Sequence, residues 1–291
     1  MEELSLLARL LPQLRSGPDV VLGPGDDCAA LDCGGPELVL AAGDHLIAGK
    51  HYLRENTSPG AAGAKLFNRN ASDIAAMGGT PRWALLALAA NGCGNDELVE
   101  FAAGAARAAE ACGAFLVGGD IAELASPGLS ASLTILGTVP RGEMVTRSGA
   151  KAGDLVCVTG EIGNSFLSGH HLSFAPQLAE GRFLAREHLA TAMLDVSDGL
   201  LLDASRLAAS SHVRLEIDPA KVPLRTGAKL PDALADGEDY ELLFTAPPDR
   251  AHELAGHAAV IGRVLAGPPG VSGPDGRDLL TGKTGYEHGK H

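Results

Sequence analysis

Met193-Leu194-Asp195-Val196-Ser197-Asp198-Gly199-Leu200 reads as the end of one element and the start of the next. Residues 193–196 have the length and apolarity of a short buried strand, and residues 198–209 carry apolar side chains at helical spacing. A strand that runs into a helix through a turn of Asp, Ser and Gly is the repeating unit of an α/β layer. Working outward, the same rhythm recurs. Strands are expected at 155–159, 213–217, 240–245 and 260–264, with a helix at 249–256. Towards the N-terminus the spacing predicts strands at 38–42, 83–90, 114–117 and 130–139 and helices at 60–77 and 97–112. Gly78-Gly79-Thr80-Pro81 ends the first of these helices, with Gly to terminate it and Pro to prevent continuation. A Gly- and Lys/Arg-containing stretch at 141–153 reads as a junction, so the chain divides into an N-terminal domain, 1–146, and a C-terminal domain, 147–291.

Aspartate recurs where strands end or turns begin: Asp26-Asp27, Asp44, Ser72-Asp73, Gly118-Gly119-Asp120, and Asp195 with Asp198. Short carboxylates gathered at strand ends suit a hard cation such as Mg²⁺, which takes oxygen ligands at roughly 2.1 Å and shares its shell with phosphates and water. Taken singly, each Asp also reads as a turn former or helix cap. Asp73 is the exception, because it falls well inside the predicted helix 60–77. At Asp195-Val196-Ser197-Asp198-Gly199, a plain cap by Ser197 or Asp198 competes with an anion site on the free N–H groups of the following helix.

The 291 residues are 45% hydrophobic but only 4% aromatic, so the core is expected to be built from Ala, Val, Leu and Ile. A net charge of −13 argues against a nucleic-acid or anionic-membrane partner. Five Cys without a CxxC pair exclude a disulfide framework or zinc knuckle. Met1-Glu2-Glu3 is acidic, and Leu4, Leu7, Leu11 and Leu14 recur at helical spacing interrupted by Arg9, Gln13 and Arg15. That is an amphipathic helix, and with no run near the ~20 apolar residues of a membrane span the expected location is the cytoplasm. Gly282-Lys283-Thr284 fails as a Walker A loop because position 277 is Arg277, and GxGxxG fails because Cys28 follows Gly23 and Gly25. ATP, if bound, must be held through metal, backbone and isolated basic residues. An acidic cation-binding module is a third reading, but no EF-hand pattern supports it.

Gly25-Asp26-Asp27-Cys28-Ala29, Gly49-Lys50-His51-Tyr52-Leu53, Asn70-Ala71-Ser72-Asp73-Ile74-Ala75-Ala76-Met77-Gly78, Pro81-Arg82-Trp83 and Gly118-Gly119-Asp120 follow one another in an order that resembles the thiamine-monophosphate kinase family. Thr146-Arg147-Ser148-Gly149-Ala150, Asp195-Val196-Ser197-Asp198-Gly199-Leu200, Gly237-Glu238-Asp239-Tyr240-Glu241-Leu242 and Gly285-Tyr286-Glu287-His288 continue the match, which runs from about residue 5 to 288. The resemblance implies an α/β (α+β) protein with the two-domain aminoimidazole ribonucleotide synthetase-like fold. Its N-terminal domain would dimerise through its sheet, giving a homodimer, and a C-terminal α/β domain would complete the substrate site. It implies Mg²⁺-dependent transfer of a phosphoryl group from ATP to thiamine monophosphate, in line and without a phosphoenzyme, as the last step of thiamine diphosphate synthesis.

By the same resemblance, Asp27, Asp44, Asp73, Asp120, Asp195 and Asp198 look like ligands for several Mg²⁺ ions, with Asp73, Asp120 and Asp198 central to catalysis. Gly119, Asp120, Arg147 and Ser197 look like nucleotide contacts. His51, Glu238 and Tyr286 look like contacts to thiamine monophosphate, with His51 bonding its phosphate rather than acting as a base. The alternative is another ATP-using reaction of the superfamily, of the ribonucleotide-cyclisation type. Three departures from the family pattern stand out. Ala42-Gly43-Asp44 replaces a hydroxyl-bearing Ser/Thr-Thr-Asp, Asp236-Gly237-Glu238-Asp239 replaces Gly-Gly-Glu-Asp, and the segment from Gly163 to Met193 is short.

Overall fold

The computed structural model describes residues 3–14 and 16–286. Of the residues read above, Met1, Glu2, Arg15, Glu287 and His288 lie outside that range, and the side chain of Leu4 is not described. The expected helix at the start of the chain is present as α1, Glu3–Leu10.

Two six-stranded sheets organise the chain. The first contains β1 Val20–Leu22, β2 Ala29–Leu31, β3 Glu37–Ile47, β4 Thr80–Asn91, β5 Phe115–Glu123 and β6 Gly128–Pro140, in the order β1-β2-β3-β6-β4-β5. The second contains β7 Leu155–Val158, β8 Ala192–Asp195, β9 Arg214–Ile217, β10 Leu242–Ala246, β11 Ala259–Leu265 and β12 Gly270–Ser272, in the order β12-β9-β11-β7-β10-β8. Strand–helix alternation led us to expect βα layers, but only β4–β5 and β12–β9 pair in parallel. The other pairings between named strands are antiparallel, most of them between strands far apart in sequence.

Burial follows from how each sheet is covered. In the second sheet, β8 and β10 are buried at every residue. Helix α7, Leu200–Ser211, covers one face through Leu200, Ala204 and Leu207. Leu184 and Ala185 of α6, Leu178–Arg186, cover the other together with the end of α2, Pro59–Ala76. The first sheet is covered on one face only, by α2 and by α3, Asn95–Ala111. Accordingly β6 alternates buried and half-buried residues, as a half-covered antiparallel strand does.

Helix α2 is the pivot. Ser58 caps it by accepting a hydrogen bond from the Ala61 N–H at 3.2 Å, and Pro59 opens its first turn. Leu66, Phe67, Ala71 and Ile74 face the first sheet, while Ala75 and Ala76 pack among Leu184, Leu189, Met193 and Phe244 of the second. Close approach of α3 relies on glycine: a Cβ at Gly104 would collide with the Gly60 carbonyl, and one at Gly63 with that of Phe101. The helix expected at 249–256 is a 3-10 segment, Pro248–Leu254, and the short helices α4 Ser165–Ser168, α5 His170–Ser173 and α8 Leu230–Ala235 were not anticipated. Gly104→Ala is expected to cost about 1–3 kcal/mol through overpacking, read as a lower midpoint of urea unfolding.

Candidate active site

Three segments far apart in sequence bring their carboxylates together. Asp27 stands in the loop between β1 and β2, Asp73 in the penultimate turn of α2, and Asp195 at the end of β8. One oxygen from each lies within 4.8 Å of the others. Ser72 donates to Asp195 Oδ2 at 2.6 Å, and Arg147 grips Asp27 through Nη2 at 2.8 Å and Nε at 3.3 Å. The Arg147 backbone N–H also donates to Asp26 at 3.0 Å. Burial pushes the Asp73 and Asp195 carboxyls well above the usual carboxylate range, and neighbouring carboxylates push them further: Asp44, Asp195 and Asp27 act on Asp73, and Asp27 acts on Asp195. Half-buried Asp26 is held at about 6, by burial first and Asp27 second. An all-oxygen set of converging carboxylates short of positive charge is the donor chemistry of a hard divalent cation.

The cluster opens into a cavity of about 1040 Å³ between the two halves. Asp44, Asp73, Asp195, Ser197 and Asp198 line it, and so do His51, Glu238 and Tyr286. Asp198 is held by Arg206 at 2.7 Å. Lys50 stands 5.5 Å from the centre of the Tyr286 ring. Among the sequence-predicted residues, Asp27 and Arg147 belong to the carboxylate cluster but do not line the cavity, and Gly119 and Asp120 are not brought to it. These last two lie on exposed β5 at the edge of the first sheet, where Asp120 pairs with Ala87.

Most of the N–H groups at the expected anion site before and at the start of α7 are already taken. The N–H groups of Ser197, Asp198 and Gly199 all donate to Asp203 Oδ2, at 3.1, 3.0 and 3.2 Å. Neither Ser197 nor Asp198 caps the helix; Gly199 occupies that position with φ 120°, a conformation that favours glycine. The Leu202 N–H is taken by the Thr284 carbonyl at 3.1 Å. Asp203 therefore fixes the 197–199 turn from inside, and an acidic residue in the first turn of the helix was the available signal.

At the other end of the cavity, Glu238 adopts φ 66° and its Oε2 accepts from the buried Lys65 ammonium, with His171 Nδ1 3.1 Å away. Burial opposes the charge on Glu238, but the His171 bond and the Lys65 charge outweigh it and hold the carboxyl at about 2. Burial pulls Lys65 down to about 8 against the pull of Glu238. Lys65 also donates to the His51 carbonyl at 2.7 Å. His51 Nδ1 accepts from the Ile47 N–H at 2.9 Å, which places the ring proton on Nε2 and makes the imidazole a donor toward a ligand. Phe166, stacked on His171 at 4.4 Å, presents an aromatic ring to the same cavity. Sequence reading missed Lys65, Arg69, His171 and Phe166. For the first two a signal existed: Lys65, Arg69 and Asp73 form an i, i+4, i+8 charged stripe on an otherwise apolar helix.

The fold and the carboxylate site together define a two-part AIR synthase related protein. The profile of the AIR synthase related N-terminal domain matches residues 25–139, and that of the C-terminal domain matches 161–272. Thiamine-monophosphate kinase of Escherichia coli K12 is 34% identical over 98% of each chain, and that of Rhodopirellula baltica 36% identical over 86% of this chain and 83% of its own. The solved complex of AaThiL with AMPPCP and TMP superposes with a TM-score of 0.87 at 31% identity, covering 99% of this chain and 97% of that one. The chain belongs to the thiamine-monophosphate kinases of the AIR synthase related family.

Two predictions follow from the electrostatics. Asp26 titrates higher when folded than the ordinary 3.8, so the folded state binds the extra proton. Its stabilising contribution is full below pH ~4 and lost as pH rises through ~6. Asp26→Asn should flatten that slope in metal-free protein and raise stability at pH 7 by on the order of 1–3 kcal/mol. Lys65→Met removes the buried cation from half-buried Glu238, which keeps His171 beside it, and should cost about 1–3 kcal/mol, with Glu238→Gln restoring part of it in the double variant. Urea unfolding reads both.

Proposed function

We propose that this chain transfers the γ-phosphoryl group of ATP to the phosphate of thiamine monophosphate, releasing ADP and thiamine diphosphate. The observation that carries this reading is one cavity lined by converging carboxylates together with Glu238, Phe166 and Tyr286. The relatives named thiamine-monophosphate kinase and the solved complex with AMPPCP and TMP support it.

Asp27, Asp73 and Asp195, with Asp44 and Asp198 nearby, would hold Mg²⁺, which when bound supplies positive charge to the facing phosphates. Arg147, fixed on Asp27, and Ser197 serve the nucleotide. An oxygen of the acceptor phosphate attacks the γ-phosphorus in line while the bond to the β-phosphate oxygen breaks. That oxygen is already ionised, so no general base is required, and His51 contributes an Nε2–H hydrogen bond to the acceptor phosphate. Catalysis rests on alignment and charge neutralisation. Phe166 and Tyr286 offer ring faces to the thiamine moiety, and Glu238 complements its cationic ring.

Trp83, Leu85, Phe115 and Val117 are exposed on β4 and β5, the uncovered edge of the first sheet. A homodimer through that face would bury them and draw Gly119 and Asp120 into the interface. The described cysteines are all free, which suits the reducing cytoplasm, and no described helix is long and apolar enough to cross a membrane.

Mixed with ATP and Mg²⁺, the protein should release ADP in a coupled assay only when thiamine monophosphate is present. Formylglycinamidine ribonucleotide should give none; ADP formed with that substrate instead would favour cyclisation. Asp73→Ala should lower kcat roughly a hundredfold or more, the scale of losing one electrostatic group in a closed site, with unchanged circular dichroism.

A further inference from the structure

We infer that Arg69 is the residue that grips the acceptor phosphate and makes the enzyme require a phosphorylated thiamine; this rests on the function proposed above. Lys50, Arg69 and Lys283 are the Lys and Arg side chains among the described residues lining the cavity. Lys283 is held by Asp236 at 2.7 Å, and Lys50 stands over the Tyr286 ring. Arg69 projects from α2 one turn before Asp73 and one turn after Lys65, the partner of Glu238. It therefore stands between the carboxylate end and the thiamine end, where the acceptor phosphate must lie.

Its guanidinium is anchored but unsaturated. Nη1 donates to the His45 carbonyl at 3.1 Å. Nε stands 3.5 Å from Asp44 Oδ2, beyond good hydrogen-bond length, and is buried with no hydrogen-bond partner. A desolvated N–H left unpaired is costly, and in a native site such a donor calls for an explanation. Nε is closed to solvent and holds the guanidinium against Asp44, so a phosphate in the cavity meets the Nη edge of the planar fork, which can offer it two N–H groups. Burial disfavours the Arg69 charge, but the carboxylates of Asp44 and Glu238 around it outweigh that, so the side chain stays cationic.

The test is isothermal calorimetry of thiamine monophosphate and of unphosphorylated thiamine binding to wild type, Arg69→Met and Arg69→Lys, with steady-state kinetics and thermal melts alongside. Arg69→Met should weaken thiamine monophosphate binding by roughly 10- to 100-fold, the effect of one or two charge-assisted hydrogen bonds. Thiamine affinity and the KM for ATP should change less than about twofold, since neither ligand uses those bonds, and Arg69→Lys should recover part of the loss. Equal weakening of both thiamine ligands, or undiminished thiamine monophosphate binding by a folded Arg69→Met, overturns the inference. Wild-type protein that fails to bind thiamine monophosphate overturns the underlying function instead.

Discussion

Everything in this molecule is arranged around the cost of holding Asp27, Asp73 and Asp195 within 4.8 Å of one another. Like charges at that separation, partly withdrawn from water, repel strongly enough to shift their own titration. The protein offsets the repulsion only in part. Arg147 neutralises Asp27, and Ser72 satisfies one oxygen of Asp195, but Asp73 has Asp44 as a further carboxylate neighbour rather than a matching cation. The remaining deficit of positive charge sets the cluster apart from a balanced ion-pair network.

Supporting such a cluster demands a rigid platform, and α2 provides it. The helix is wedged between two sheets, with one apolar flank serving each half of the core and a charged stripe left between them. Lys65 and Arg69 would be intolerable on a helix so deeply packed unless each had a designated counterpart. Lys65 has Glu238 and the His51 carbonyl, and Arg69 has the His45 carbonyl beside Asp44, whereas Asp73 faces further carboxylates and is left uncompensated. Binding residues at opposite ends of a large cavity are thereby referenced to one rod, so the distance between them is set by helical rise rather than by loop conformation.

The C-terminal half answers this platform with internally tied loops. Asp203 closes the turn that carries Asp195 and Asp198, and the Tyr286 N–H donates to the Asp198 carbonyl at 2.8 Å, bringing the last described residues over the same cavity. The segment before β10 follows suit, with the Glu238 N–H on the Ser197 carbonyl at 2.7 Å. The N–H groups of Ser197, Asp198, Gly199 and Leu202 are spent on internal contacts rather than left for a ligand.

Local pattern and composition determined much of this by themselves. Helical and alternating periodicities located α2, α3, β4, β6 and α7 to within a few residues, because those periods follow directly from which face each element buries, whereas β3, expected to end before Gly43-Asp44, runs on to Ile47 with Asp44 paired to Leu133 in mid-strand. Asp73 stood out in the sequence because it falls inside a helix, where no turn former is needed, whereas Asp195 at a strand end also read as an ordinary turn residue. Tertiary structure alone decided strand direction and which carboxylates meet. It also sent Asp120 to an open edge and gave Lys65 and Arg69 their partners. These outcomes depend on contacts between residues tens to more than a hundred positions apart, and no local signal encodes a pairing that exists only once two separately folded sheets close on a shared helix.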